Sequence, residues 1–154
     1  GVSRLVADSA LSVMSFIALP AVIIAGQVSD RIGRRAPLSL AYLVRAAGLL
    51  TIVFSTTPGA LYLGSFLFGI GFMATIPLIT AMVSDLFGKR SHAVLFAFVG
   101  FIHQIGAMAG PVFAASLFDA WRTYLPAFWV GILVAAISTV GIYLIRERPR
   151  LKPA

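Results

Sequence analysis

A chain of 154 residues that is 60% hydrophobic and only 11% charged, with a mean hydropathy of +0.99, lacks the polar side chains to cover a water-soluble globule, in which the charged share is about a quarter. A net charge of +7 would point a soluble protein toward nucleic acid; here the Lys and Arg residues fall in short stretches between long apolar runs, where orientation signals belong, so no nucleic-acid partner is expected. With no cysteine, neither a disulfide nor a thiolate metal site can form.

Residue 1 is Gly and not Met, and no charged segment or cleavage site precedes the first apolar run, which reads as a piece of a longer protein. Five runs, at about 9–28, 37–56, 60–84, 92–117 and 124–145, are long enough at ~1.5 Å per residue to cross a hydrocarbon core of ~30 Å. They are continuous and do not alternate with period two, so they predict helices and not barrel strands. The fold class is all-α, a polytopic transmembrane helical bundle, with residues 146–154 as a tail. Short connections make neighbouring spans antiparallel. Loops 29–36 and 85–91 and the tail then carry nine Lys and Arg on one side, against Arg4 and Arg122 on the other. The positive-inside rule places the 29–36 turn and the C-terminus in the cytoplasm.

In chain order, the first span carries Ser12 and Ser15, which read as helix-packing glue or as pathway lining; Thr75 and Thr80 in the third span read the same way. The turn that follows runs Gly-Gln-Val-Ser-Asp-Arg-Ile-Gly-Arg-Arg-Ala-Pro-Leu from Gly26 to Leu38. Gly26 is expected to let two helix ends approach closely, and Gly33 to permit a tight reversal before Pro37 restarts a helix. Asp30, Arg31, Arg34, Arg35, Asp85, Lys89 and Arg90 put opposite charges on loops that meet at one face. They read either as a latch that holds that face in one state, or as orientation signals with lipid headgroup contacts. Arg45, inside the second span, reads as a snorkelling or structurally paired residue, with substrate contact as the other possibility.

The third span, Leu63-Gly64-Ser65-Phe66-Leu67-Phe68-Gly69-Ile70-Gly71-Phe72, and the fourth, with Gly106-x-x-x-Gly110-Pro111, space small residues for close helix packing. Pro77 and Pro111 break the hydrogen-bond ladder where helices bend. His103 and Gln104 lie near the middle of the fourth span, where polar groups are costly unless they face protein or water. A histidine exchanges a proton near neutral pH, so His103 is a candidate for substrate binding or proton coupling, and interhelical hydrogen bonding is the competing reading. Trp121, Tyr124 and Trp129 read as interfacial anchors. Five scattered acids, no phosphate-binding glycine loop and two histidines eleven residues apart offer no catalytic centre, so no enzyme activity, cofactor or metal is expected.

The Gly26–Leu38 turn resembles the signature loop of the major facilitator superfamily, Gly-x-Leu-Ala-Asp-Arg-x-Gly-Arg-Arg/Lys-x-x-Leu, with Val28 in place of Leu and Ser29 in place of Ala. The resemblance implies helices 8 to 12 of a twelve-helix transporter, a partial C-terminal bundle. The absent N-terminal bundle of the same protein, the lipid bilayer and a small solute would be its partners. It further implies alternating access about a midplane site, coupled to a proton or a counter-substrate as a symporter or antiporter, in the bacterial inner (plasma) membrane. In the family the fourth span lines the cavity and the second is peripheral. Asp85-Leu86-Phe87-Gly88 after Pro77-Leu78, and Gly110-Pro111 before Asp119 and Tyr124, are similar to the monocarboxylate and oxalate/formate branch, which would make the solute an organic anion. That branch holds a carboxylate with an Arg or Lys in the first or fourth span, and neither span here has one. A non-transporting membrane sensor or scaffold on the same fold is the alternative. A channel would need a ring of charge or carbonyls that is not seen.

Overall fold

The computed structural model describes residues 3–145, with Lys89 described by its backbone alone. The predicted tail at 146–154 lies outside the described residues. Six helices follow one another: α1 (Arg4–Ile32), α2 (Arg35–Val53), α3 (Pro58–Met73), α4 (Thr75–Phe87), α5 (Lys89–Trp121) and α6 (Leu125–Leu144). With α3 and α4 taken as one, they make five lengths of helix long and apolar enough to cross a membrane. The all-α class is as the sequence predicts.

Local chemistry sets the ends. The Ser3 hydroxyl accepts from the Val6 N–H at 3.4 Å and the Thr57 hydroxyl from the Ala60 N–H at 3.3 Å, each meeting a donor the first helical turn leaves open. Pro58, directly after Thr57, lacks the N–H that would be orphaned there. Gly33 closes α1 with φ 103°, a conformation that side chains disfavour, and its N–H returns to the Ser29 carbonyl at 3.1 Å. α2 starts two residues later.

At the other side of the bundle Arg122 ends α5 with φ 55°, left-handed without a glycine. A non-glycine residue there is strained by about 1 kcal/mol. Arg122→Gly is therefore expected to raise the stability of the purified protein by up to about 1 kcal/mol, read from its thermal unfolding in detergent. A fall in stability would show that the Arg122 side chain has a compensating contact.

Three spans differ from the prediction, and one of them is α5, whose 33 residues run past both ends of the predicted 92–117. α1 begins at Arg4, so Asp8 lies inside a helix of 29 residues and not ahead of it. The predicted third span is two helices parted at Ala74, three residues before Pro77. Proline has no N–H to offer the carbonyl of Met73 and its ring crowds the preceding turn, which accounts for the break.

α3 is the centre of the packing, seated against both α1 and α2, and α6 lies along α2. In lipid, apolar burial gives helices little reason to associate, so close backbone contact and hydrogen bonds carry the packing. A Cβ on Gly48 would fall 2.6 Å from the Phe68 nitrogen, and one on Gly64 3.0 Å from the Gly48 carbonyl oxygen, so α2 and α3 touch through their backbones. Ser9 and Tyr62 share a 2.6 Å hydrogen bond between α1 and α3, and the Ser39 hydroxyl donates to the Thr139 carbonyl of α6 at 2.9 Å. Leu38, Ala41, Ala74, Leu78 and Met82 form the buried core where α2, α3 and α4 meet.

α5 stands apart: none of its described residues is buried. The close packing expected at Gly106 and Gly110 is not made within the described residues, because a Cβ on either would meet open space. Small residues permit an approach, and among the described residues no helix makes it.

Candidate functional site

The tight turn at Gly33 sets Arg34 just ahead of α2 with its side chain between two acids. Its Nη1 donates to Asp30 Oδ1 at 2.6 Å, one turn back on α1, and its Nε to Asp85 Oδ2 at 3.1 Å, at the end of α4. Nη1 also donates to the Ser29 hydroxyl at 2.5 Å, and that hydroxyl in turn donates to the Gly26 carbonyl. Ser29 is fully buried. Burial by itself pulls the Arg34 guanidinium down, but the hydrogen bonds to Asp30 and Asp85 and the charges of both outweigh it and hold Arg34 above its ordinary value.

The predicted charged set thus divides. Asp30, Arg34 and Asp85 come together. Arg35 turns the other way, its guanidinium 4.7 Å from the centre of the Tyr143 ring and its Nη1 donating to the Ile145 carbonyl at 3.4 Å, so it ties the start of α2 to the end of α6. Arg31 is exposed. Gly26 does not serve a close approach among the described residues, since a Cβ there would meet nothing within 4 Å. Ser29 is the member that residue-by-residue reading passed over. Its signal was the departure from Ala in the turn, a hydroxyl five residues before an arginine.

The membrane-depth candidates lie on different surfaces. Ser12 and Ser15 are exposed on α1, their hydroxyls donating to the Asp8 and Leu11 carbonyls at 3.1 and 3.0 Å. His103 and Gln104 are exposed on α5 and make no hydrogen bond among the described residues. Thr75 departs from the pathway reading: it is 5% exposed, donates to the Phe72 carbonyl at 2.8 Å and accepts from Arg45 at 3.4 Å, so it is enclosed in helix packing. Arg45 donates to the Gly71 and Phe72 carbonyls and the Thr75 hydroxyl, with aromatic rings about its guanidinium.

A cleft of about 500 Å³ opens between α1 and α2 with α3 as its floor, lined by Pro20, Ile24, Val28, Pro37, Leu40 and Ile70 among others. Its walls are apolar. The exposed surfaces of α1 and α5 are apolar as well, with Phe16, Leu19, Ile23, Phe101, Ile105 and Met108 all more than half exposed. Patches of that size on a helix bundle belong against lipid, another bundle or an apolar solute.

The family model of the Major Facilitator Superfamily matches residues 1–154. Among curated proteins, the chain is 30% identical over 115 residues to the triacylglyceride transporter of Mycobacteroides abscessus, covering 75% of this chain and 22% of that protein. It is 29% identical over 118 residues to the triacylglyceride transporter of Mycolicibacterium smegmatis, covering 77% and 21%. To the class H tetracycline resistance protein of Pasteurella multocida it is 28% identical over 124 residues, covering 80% and 30%. The chain therefore spans less than a third of the length of these relatives.

Proposed function

The chain belongs to the Major Facilitator Superfamily, and from that membership we propose that the protein carrying it moves a small amphiphilic or apolar solute across a bacterial inner membrane by alternating access. In this reading α1 and α5 form part of the wall of the passage and the remaining bundle supplies the rest. One observation carries the choice of solute: the exposed lengths of α1 and α5 offer apolar side chains and the neutral hydroxyls and amide of Ser12, Ser15 and Gln104, beside His103. No Lys or Arg stands on either helix away from its ends. The cation at depth, Arg45 on α2, is engaged with carbonyls of α3. This favours an amphiphile over the organic anion that the sequence resemblance implied. The relatives named for triacylglyceride transport and tetracycline resistance agree with it.

The Gly33 turn and the C-terminus face the cytoplasm in this proposal, on the count of basic residues. Coupling is assigned to a proton, taken up at His103. The test is transport in proteoliposomes of the full-length protein, with a fluorescent triacylglycerol analogue, tetracycline and radiolabelled lactate and oxalate, with and without a pH gradient. Movement of the triacylglycerol analogue or tetracycline, faster with the gradient, is the expected result. Movement of the carboxylates alone would overturn the solute class.

His103→Ala is expected to lower the gradient-driven rate by on the order of a hundredfold, the lower end of what a positioned proton-transfer group contributes, and to remove the acceleration that the pH gradient gives. Membrane insertion should be unchanged, because the side chain is exposed and makes no hydrogen bond among the described residues. An unaltered rate and pH profile would return His103 to a packing role.

A further inference from the structure

Arg45 sits ten residues into α2, about 15 Å along a helix that crosses the membrane, where a charge is costly unless protein groups receive it. No carboxylate pairs with it among the described residues. Its Nη2 donates instead to the Phe72 carbonyl at 3.1 Å, the Gly71 carbonyl at 3.3 Å and the Thr75 hydroxyl at 3.4 Å. The rings of Tyr42, Phe72 and Phe68 surround the guanidinium at 5.1, 5.2 and 5.8 Å.

All three acceptors straddle the break at Ala74. Gly71 and Phe72 lie in the last turn of α3, whose carbonyls are short of donors and carry the negative end of the helix dipole; Thr75 is the first residue of α4. We propose that Arg45 is a positioning residue that sets the bend of the divided third span by bridging α2 to both of its halves. Gly71 belongs to the same device, because its lack of a side chain lets the α2 backbone at Ala41 and Arg45 come close enough for the guanidinium to reach past it. The Nε is buried without an acceptor among the described residues, a burden that an apolar side chain of equal length would not carry. What the arginine supplies in return is a fixed place for the bend.

Two arginines then hold α4 to α2, one near each end. Arg34, just ahead of α2, reaches Asp85 in the last turn of α4, and Arg45, at the middle of α2, reaches Thr75 at its first residue. α4 is 13 residues long, so freeing one end and swinging it through ~20° would displace the other by on the order of 7 Å. In the transport cycle proposed above, such a swing would misplace the charged end of the bundle.

These 154 residues hold no cysteine, so once any in the rest of the full-length protein is replaced by serine, spin labels attach only where a cysteine is introduced. With labels at Leu43→Cys on α2 and Phe87→Cys at the end of α4, both more than half exposed, the distance distribution is measured by pulsed electron resonance on the full-length protein in nanodiscs. Arg45→Met keeps the stem and removes the donors; the distribution is expected to broaden by on the order of 5 Å. Arg45→Lys, a point charge without the planar fork, should fall between it and the parent. Thr75→Val removes one acceptor with little change of shape and should broaden the distribution in the same direction by less, which keeps the proposal testable if Arg45→Met does not fold. Distributions that match the parent in both Arg45→Met and Thr75→Val would overturn it. The readout requires no solute, so that result would leave the transport proposal standing.

Discussion

Gly71→Leu is expected to lower the stability of the purified protein by about 3 kcal/mol or more, the upper part of the range for overpacking, and to reduce the folded fraction recovered in detergent. A Cβ at Gly71 would collide with the Ala41 carbonyl oxygen and stand 2.9 Å from the Arg45 nitrogen. Both are backbone atoms of α2. A crowded side chain can rotate away, but a crowded backbone moves only with its helix, so α2 and α3 would have to separate. That separation also draws Arg45 away from the Gly71 and Phe72 carbonyls, leaving a charge inside the membrane without its acceptors. Gly141→Leu is the matched control. Its Cβ meets nothing within 4 Å, and it should shift stability by less than about 1 kcal/mol. Equal losses from the two substitutions would mean that leucine disturbs any helix here and that the contact of α2 with α3 has no special weight.

The run of small residues from Gly64 to Gly71 was legible in the sequence because membrane helices that pack through their backbones need such residues at helical spacing. The helical class was legible for a similar reason: the length of each apolar run answers to the thickness of a bilayer. Gly106 and Gly110 show the limit of that logic. Spacing permits an approach and does not say which helix makes it, and within the described residues none does. The break at Ala74 was half legible, since Pro77 announces a missing donor but not that Thr75 and Arg45 will receive the carbonyls on its near side. Arg45 lies in a predicted span, yet two of its three acceptors are backbone oxygens, which every residue has and no sequence pattern marks. Ser29 was hidden by its small size, and only the fold shows that its hydroxyl lies against Arg34.

Arg34→Ala is expected to slow turnover about fivefold while leaving the apparent affinity for solute within about twofold. The reasoning starts from geometry. Asp30, Arg34 and Asp85 belong to α1, to the turn ahead of α2 and to α4, all in one bundle, so their contacts are braces that rigid rocking of the bundle does not stretch. The proposed latch acts one step removed: the brace holds the turn and the end of α4 in the arrangement that the opposite bundle meets. The Arg34 side chain is 16% exposed, but Asp30 and Asp85 are 67% and 46% exposed, so water screens the pairs and their combined worth is about 1 kcal/mol. A free energy of that size shifts a two-state equilibrium about fivefold. It falls on turnover and not on binding, because Asp30 stands at the last turn of α1 and Arg34 and Asp85 lie off α1 and α5, away from the Ser12, Ser15 and His103 stretch of the proposed solute path. Asp30→Asn should act in the same direction by less, since Arg34 keeps Asp85. The competing role, that the basic residues of the turn only orient the chain in the membrane, predicts something different: Arg34→Ala would insert partly in the inverted sense, with normal turnover in the correctly oriented fraction. Labelling an introduced cysteine at Arg31→Cys from each side of the vesicle separates the two. A slowed rate in protein labelled from the cytoplasmic side alone is the outcome expected of the brace.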